Sequence, residues 1–297
     1  MTRLLLRRAR AVLVPRNLLF LMTLLVSAFL LLFAACSTSA SETIDHPTEG
    51  TEVVLQISTG GGFVPVEYNL THTPEFTLLG DGTVITTGPM IEIYPQPALP
   101  NLQTTAVSEE AVQEILSAAR EAGLFRSGYD YGQPGVADIP TTTIAVNAGS
   151  QTYTSDIYAL GFEQEAGQSL TTRQKQARAD VSDFIGKLFD LGVFQGGTIE
   201  WQEYDFAALA IYSLPVEPSA SPDYGEVQPN RLEWPLLDLS TAGEPVQPRG
   251  YKRLVVSGEE LETLQPLLDQ ATKITLWISG GSEYHLYFRP LLPSETT

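Results

Sequence analysis

The stretch VSEEAVQEILSAAREAGLF, residues 107–125, decides the fold. Val112, Ile115, Leu116 and Ala119 recur at helical spacing and define one apolar face. Ser108 stands at the N-cap position, and Glu109 and Glu110 follow at the positive end of the helix dipole. Val107 and Val112 have the spacing of a hydrophobic staple, and Gly123 ends the run as a C-terminal glycine. The spacing therefore predicts one capped, amphipathic helix set among segments of a different period.

Those segments alternate. Residues 52–59 (EVVLQIST) and 63–70 (FVPVEYNL) are short and rich in β-branched and aromatic residues, so both are expected as strands around Gly60-Gly61-Gly62. Residues 74–87 (PEFTLLGDGTVITT) carry two apolar arms about Asp81-Gly82, a tight hairpin turn. Residues 89–103 (PMIEIYPQPALPNLQ) hold four prolines and are expected as an irregular surface connection. Alternation returns over 141–160, with a hairpin near Asn147-Ala148-Gly149. A second helix is expected over 172–192, with Ala177, Val181, Phe184, Ile185 and Leu188 as its stripe and Gly192 as its end. Residues 198–214 are expected as a long strand or a pair, and 215–230 as a loop.

The opening stretch then recurs. Residues 256–271 (VSGEELETLQPLLDQA) align with 107–122 without a gap. The Val-Ser pair matches, and so do Glu110 with Glu259, Val112 with Leu261, Ile115 with Leu264 and Ala122 with Ala271. Each copy precedes a hairpin with Gly-Ser at its turn. Pro266 departs from the pattern. A proline inside a helix costs about 3 kcal/mol or kinks it, so this helix is expected bent or split there. The expectation is an α+β fold of two related modules, each an antiparallel sheet with a helix packed on one face. The first covers 52–197 and the second 198–297.

The N-terminus reads differently. Arg3, Arg7, Arg8, Arg10 and Arg16 precede an uncharged apolar run over 18–35, the layout of a secretory leader. The run is also long enough to span a bilayer if it is kept. Phe33-Ala34-Ala35-Cys36, followed by Ser37-Thr38-Ser39-Ala40, resembles the lipobox of bacterial lipoproteins, although Phe33 replaces the usual leucine. The resemblance implies cleavage before Cys36 and a lipid on its sulfur. That gives a signal peptide over 1–35 and a flexible polar tether over 36–51. A retained membrane helix and soluble secretion are the alternatives. Cys36 is the only cysteine, so the exported part forms no internal disulfide and must rely on a packed core.

The formal net charge is −18. The leader holds five of the 17 basic residues and none of the 35 acidic ones, so without it the balance is 12 against 35, near −23. Such a chain is a poor ligand for nucleic acid or anionic lipid heads.

Chemistry-bearing motifs are sparse. His46, His72 and His285 are far apart and lack metal-ligand spacing, so no metal and no cofactor is expected. His46 falls in the tether, and His285 alternates with Tyr284 and Leu286 on a strand. No nucleophile motif occurs, so no catalytic residue is assigned. The residues that come closest are Glu200, Glu203 and Asp205 around Trp201 and Tyr204, an acid-and-aromatic set of the kind glycan hydrolases use. The loop Tyr129-Asp130-Tyr131 is a candidate contact surface. Gly60-Gly61-Gly62 has neither the lysine nor the following helix of a phosphate cradle.

Together, PEFTLLGDGTVI, 107–125, DIPTTTIAVNAGS and the terminal YHLYFRPLLPSE make the chain similar to uncharacterised bacterial lipoproteins of actinobacterial type. The first module resembles a small bacterial domain of unknown function. The resemblance implies a lipid-anchored protein on the extracytoplasmic face of the cell membrane. It carries no site residue beyond Cys36. The functional expectation is a non-enzymatic module binding an envelope protein, peptide or glycan. The alternatives are a glycan hydrolase working near Trp201 and a purely structural surface domain.

Overall fold

The computed structural model describes residues 43–165, 169–217 and 227–296. A compact unit begins at Ile44, and Cys36 and the leader lie outside the described residues. Every residue of the four hydrophobic clusters belongs to that unit, so it carries its own cores.

The fold is α+β, with two sheets. The first is built from β1 (Val53–Gly60), β2 (Phe76–Leu79), β3 (Thr83–Thr87), β4 (Leu102–Ala106), β5 (Thr141–Ala148), β6 (Gln151–Tyr158) and β7 (Gln202–Glu203), in the order β6-β5-β1-β2-β3-β4-β7. All its pairs are antiparallel. The helices along this part of the chain are α1 (Val66–Thr71), α2 (Glu109–Glu121), α3 (Thr172–Leu188) and the short α4 (Gly192–Gln195). The second sheet holds β8 (Ala208–Pro215), β9 (Arg231–Glu233), β10 (Glu244–Val246), β11 (Tyr251–Ser257), β12 (Leu276–Ser279) and β13 (Ser282–Pro290), in the order β10-β11-β8-β13-β12-β9, with α5 (Gly258–Leu268). Only its β9–β12 pair is parallel.

Helix α2 forms as its sequence dictates. The Ser108 side chain accepts from Ala111 N at 3.3 Å. Gly123, at φ 84°, donates to Arg120 O while Leu124 N donates to Ala119 O, which is a Schellman ending. Val112, Ile115, Leu116 and Ala119 are buried against β1, β2 and β5, together with Val181, Phe184 and Leu188 of α3. Both helices therefore share one face of the first sheet.

Around the second sheet the local order of strand, helix and hairpin recurs, but the placement does not. Leu261, Leu264 and Leu268 of α5 pack on Leu209 and Ile211 of β8. In the first sheet the strand after the helix, β5, joins the central β1 and β6 is the edge. In the second, the later strand β13 joins β8 and β12 lies outside it. Ser257 makes no capping hydrogen bond, unlike Ser108. Pro266 neither ends nor splits α5: it sits in the last turn on the exposed side, and the residue whose carbonyl loses its donor, Glu262, is exposed too.

Four boundaries differ from the sequence reading. The stretch 63–70 is not a strand. Its second half is α1, whose Leu70 packs on Ala208, Ala210 and Tyr212 of the second sheet. A strand there could not present Leu70 and Glu67 to that sheet together. The body starts within the expected tether: Ile44 is buried and exchanges hydrogen bonds with the Gln113 side chain at 2.8 and 2.9 Å, and Gly149 N donates to Asp45 O at 2.6 Å. The stretch 198–214 is a pair of strands, one of the two expectations for it, but its first strand, Gln202–Glu203, pairs with Thr104 and Gln103 of the first sheet and not with the strand that follows. Gly192 opens α4 instead of closing α3.

Candidate functional site

Of the carboxylates singled out in the sequence, Glu200 parts from the other two. Trp201 turns into the first core and Glu200 is exposed. Glu203 and Asp205 line a cleft with Tyr204, Phe206 and, from α5, Glu262 and Gln265. The cleft encloses about 630 Å³. Acids from two distant segments thus share a wall, but the indole expected to stack a sugar is elsewhere. Tyr204 is held structurally. Its hydroxyl donates to Leu291 O at 3.0 Å, and its ring packs on Leu79, Ile85 and Leu292. Burial, then the negative charges of Glu295 and Asp205, push the phenol up to about 12.

The histidines lie apart. The His46 side chain is 4% exposed, with Nδ1 on Pro47 O at 2.6 Å and Nε2 on Glu109 at 3.1 Å. It is a docking residue of the N-terminal strap and not part of a tether. Burial raises the Glu109 carboxyl, but the Gln113 amide and His46 outweigh it and hold the group low. His72 lies 3.2 Å from Glu75 and stacks on Tyr68. His285 is half-buried on the face of β13 opposite Tyr284 and Leu286, and burial lowers its pKa against the opposing pull of Glu67 and Glu283. Among the described residues no group of three or more His, Cys, Asp or Glu could hold a metal ion, and no helix is long and apolar enough to cross a membrane.

The loop Tyr129-Asp130-Tyr131 is braced from below. Asp130 accepts from Gly132 N at 2.8 Å and from Gln174 at 3.2 Å, while Tyr131 is buried. Of the two tyrosines only Tyr129 reaches the surface, half-buried and edge-on to Tyr131, with the Arg173 guanidinium 5.9 Å from its ring centre. Beside it lies a shallow cleft of about 210 Å³ whose two arginines, Arg126 and Arg173, are balanced by Glu121 and Asp180.

Comparison with protein-family models, with curated proteins and with solved structures finds no match.

Sequence reasoning missed two features. The first is Arg178, fully buried on the core face of α3. Its Nε donates to Glu163 at 2.7 Å, and its terminal nitrogens donate to Tyr158 O at 2.9 Å, Ala159 O at 2.5 Å and Tyr131 O at 3.4 Å. Each of its three nitrogens donates to an acceptor of this chain, so Arg178 is a structural clamp. Ala159, at φ 51°, is held there by this clamp and by its own N–H to Pro140 O at 2.9 Å.

The second is an apolar groove of about 300 Å³ between the loop 88–101 and the second sheet. Phe288 of β13, Ala98, Leu99 and Thr71 of α1 belong to its lining, with Met90, Ile91 and Ile93 along the loop side. Met90, Ile91, Ile93 and Tyr94 are 68, 72, 50 and 64% exposed. The loop is pinned at both ends. Gly88 N donates to Asn101 O at 2.8 Å, and Ala98 N to Ala271 O at 3.1 Å. A run of large apolar side chains held exposed on a braced loop marks a contact site.

Proposed function

We propose that this chain is an exported lipoprotein, anchored by lipid on Cys36 at the extracytoplasmic face of the cell membrane, and that its folded body is a non-enzymatic binding module. The groove beside the loop 88–101 carries the binding half of that reading. It is concave and mostly apolar, and on the loop side it is walled by Met90, Ile91 and Ile93, which are exposed. The anchoring half rests on Phe33-Ala34-Ala35-Cys36 after a basic and then apolar leader. It is supported by the compact unit's start at Ile44, a short way along the chain.

Mass spectrometry of the mature N-terminus tests the anchor. An acylated Cys36 is expected, with release or blocked processing in Cys36→Ser. Unchanged mass and unchanged membrane retention in that variant reject it. For the groove, residues 37–297 are expected to enhance the fluorescence of an apolar anilinonaphthalene dye. That enhancement falls severalfold in Ile91→Ser/Ile93→Ser, and an equal signal from the variant removes the groove as binding site.

A glycan hydrolase is the second reading, favoured by the meeting of Glu203, Asp205 and Glu262 in one cleft. Release of reducing ends from cell-wall glycan, lost in Glu203→Gln or Glu262→Gln, is its requirement.

A further inference from the structure

We infer that the groove takes a single-chain anionic amphiphile, with an alkyl chain between Ile91, Ile93 and Phe288 and an acidic head on Lys273. The inference rests on the reading of this groove as the ligand seat and goes on to name the ligand.

Three observations select that chemistry. The first is the state of the groove's polar groups. Asn101 Nδ2 donates to Pro89 O at 2.8 Å, Gln96 Nε2 to Ile91 O at 3.1 Å, and Lys273 N to Gln96 O at 2.9 Å. A peptide or glycan brings donors and acceptors that must be met on burial. Each of these side-chain amides already has an N–H on the loop's own backbone, and most of the lining is apolar, so the groove is suited to an alkyl chain, which brings no such groups.

The second is charge. Among the described residues Lys273 is the only charged one lining the groove, in a chain of net −18. Its ammonium has no ion pair or hydrogen bond among the described residues. Glu92 stands between Ile91 and Ile93 in the sequence, yet it does not line the groove. A lone exposed cation lining an apolar slot, in a chain of acidic balance, complements a ligand with one anionic end.

The third is size. About 300 Å³ lies at the bottom of the range for small-molecule sites, which fits one chain and not two. Met90 adds an unbranched, adaptable wall that suits a chain of variable length.

The test titrates residues 37–297 with decanoate, dodecanoate and tetradecanoate below their micelle concentrations, with dodecanol and dodecylamine beside them. Affinity is expected to rise about fourfold per added methylene. Lys273→Gln is expected to weaken dodecanoate about threefold and to leave dodecanol unchanged. Ile91→Asp, on an exposed loop, is expected to abolish binding while leaving the unfolding midpoint in place. Dodecanol or dodecylamine bound as tightly as dodecanoate overturns the anionic ligand but keeps the groove as a seat. No saturable binding of any probe overturns both. Cosedimentation with phosphatidylglycerol vesicles without binding of monomeric dodecanoate also overturns the inference, by making the loop a membrane contact.

Discussion

At the scale of single residues, the least expected finding is a charge in a core. Arg178, Val181, Ile185 and Leu188 are spaced as one helical stripe, so the position was legible as inward-facing. The residue type argued otherwise, because arginine is rarely buried unless paired. Its acceptors come from Tyr131, Tyr158, Ala159 and Glu163, which no local pattern joins to α3. Arg178→Ala is expected to destabilise by about 3–5 kcal/mol in urea denaturation, since it leaves buried carbonyls without a donor. A loss under 1 kcal/mol means the clamp is dispensable. The pH dependence has a defined sign. Burial raises the Glu163 carboxyl, but the hydrogen bond and charge of Arg178 hold it below its ordinary value. A carboxyl lowered on folding contributes stability that is present above its unfolded pKa and lost as pH falls through the folded one. The wild type therefore has an acid-side decline in stability from this pair that Arg178→Ala lacks.

At the scale of elements, local rules worked where local forces decide. Helix α2 obeyed its cap, stripe and glycine, and the hairpin about Asp81 formed, although only Gly82, at φ 83°, takes the left-handed conformation there. The rules failed where a distant surface decides. The β-rich composition of 63–70 yields to a helix because Leu70 and Glu67 find partners on strands far along the chain. The groove was half legible: Met90, Ile91, Ile93 and Tyr94 are an unusual apolar run for a proline-rich connection. The opposing wall, with Phe288 and Lys273, is brought there only by topology. The polar composition of 43–51 likewise hid a strap. Ile44→Ala is expected to lower stability by about 2 kcal/mol, because a nearly buried side chain on α2 is deleted. If the denaturation midpoint does not move, this segment behaves as the tether its composition suggested.

At the scale of the whole body, two sheets share one compact unit through a few specific contacts. Tyr251 on β11 donates to Glu67 on α1 at 2.5 Å, Arg289 on β13 donates to His72 O at 2.9 Å, and Tyr204 donates to Leu291 O at 3.0 Å. Leu292 completes the seam by packing on Leu79 and Ile85 of the first sheet. Two of these contacts are phenols that must stay protonated to donate. Burial and then Glu67 raise the Tyr251 pKa strongly, and Tyr204 stands at about 12. A group raised on folding contributes stability that is complete below its unfolded pKa, about 10 for tyrosine, and is lost as pH rises toward the folded value. Urea unfolding followed from pH 8 to 12 is therefore expected to show one cooperative transition with a midpoint that falls above about pH 10. In Tyr204→Phe/Tyr251→Phe the midpoint is lower at pH 8, by about 1–3 kcal/mol for each lost hydrogen bond, and the alkaline fall is shallower. Lysine deprotonation acts alike on both proteins, so the difference between the two curves isolates the phenols. Parallel curves show that the seam does not depend on these protons. A wild-type transition that splits above pH 10 shows instead that the phenols are what make two sheets unfold as one.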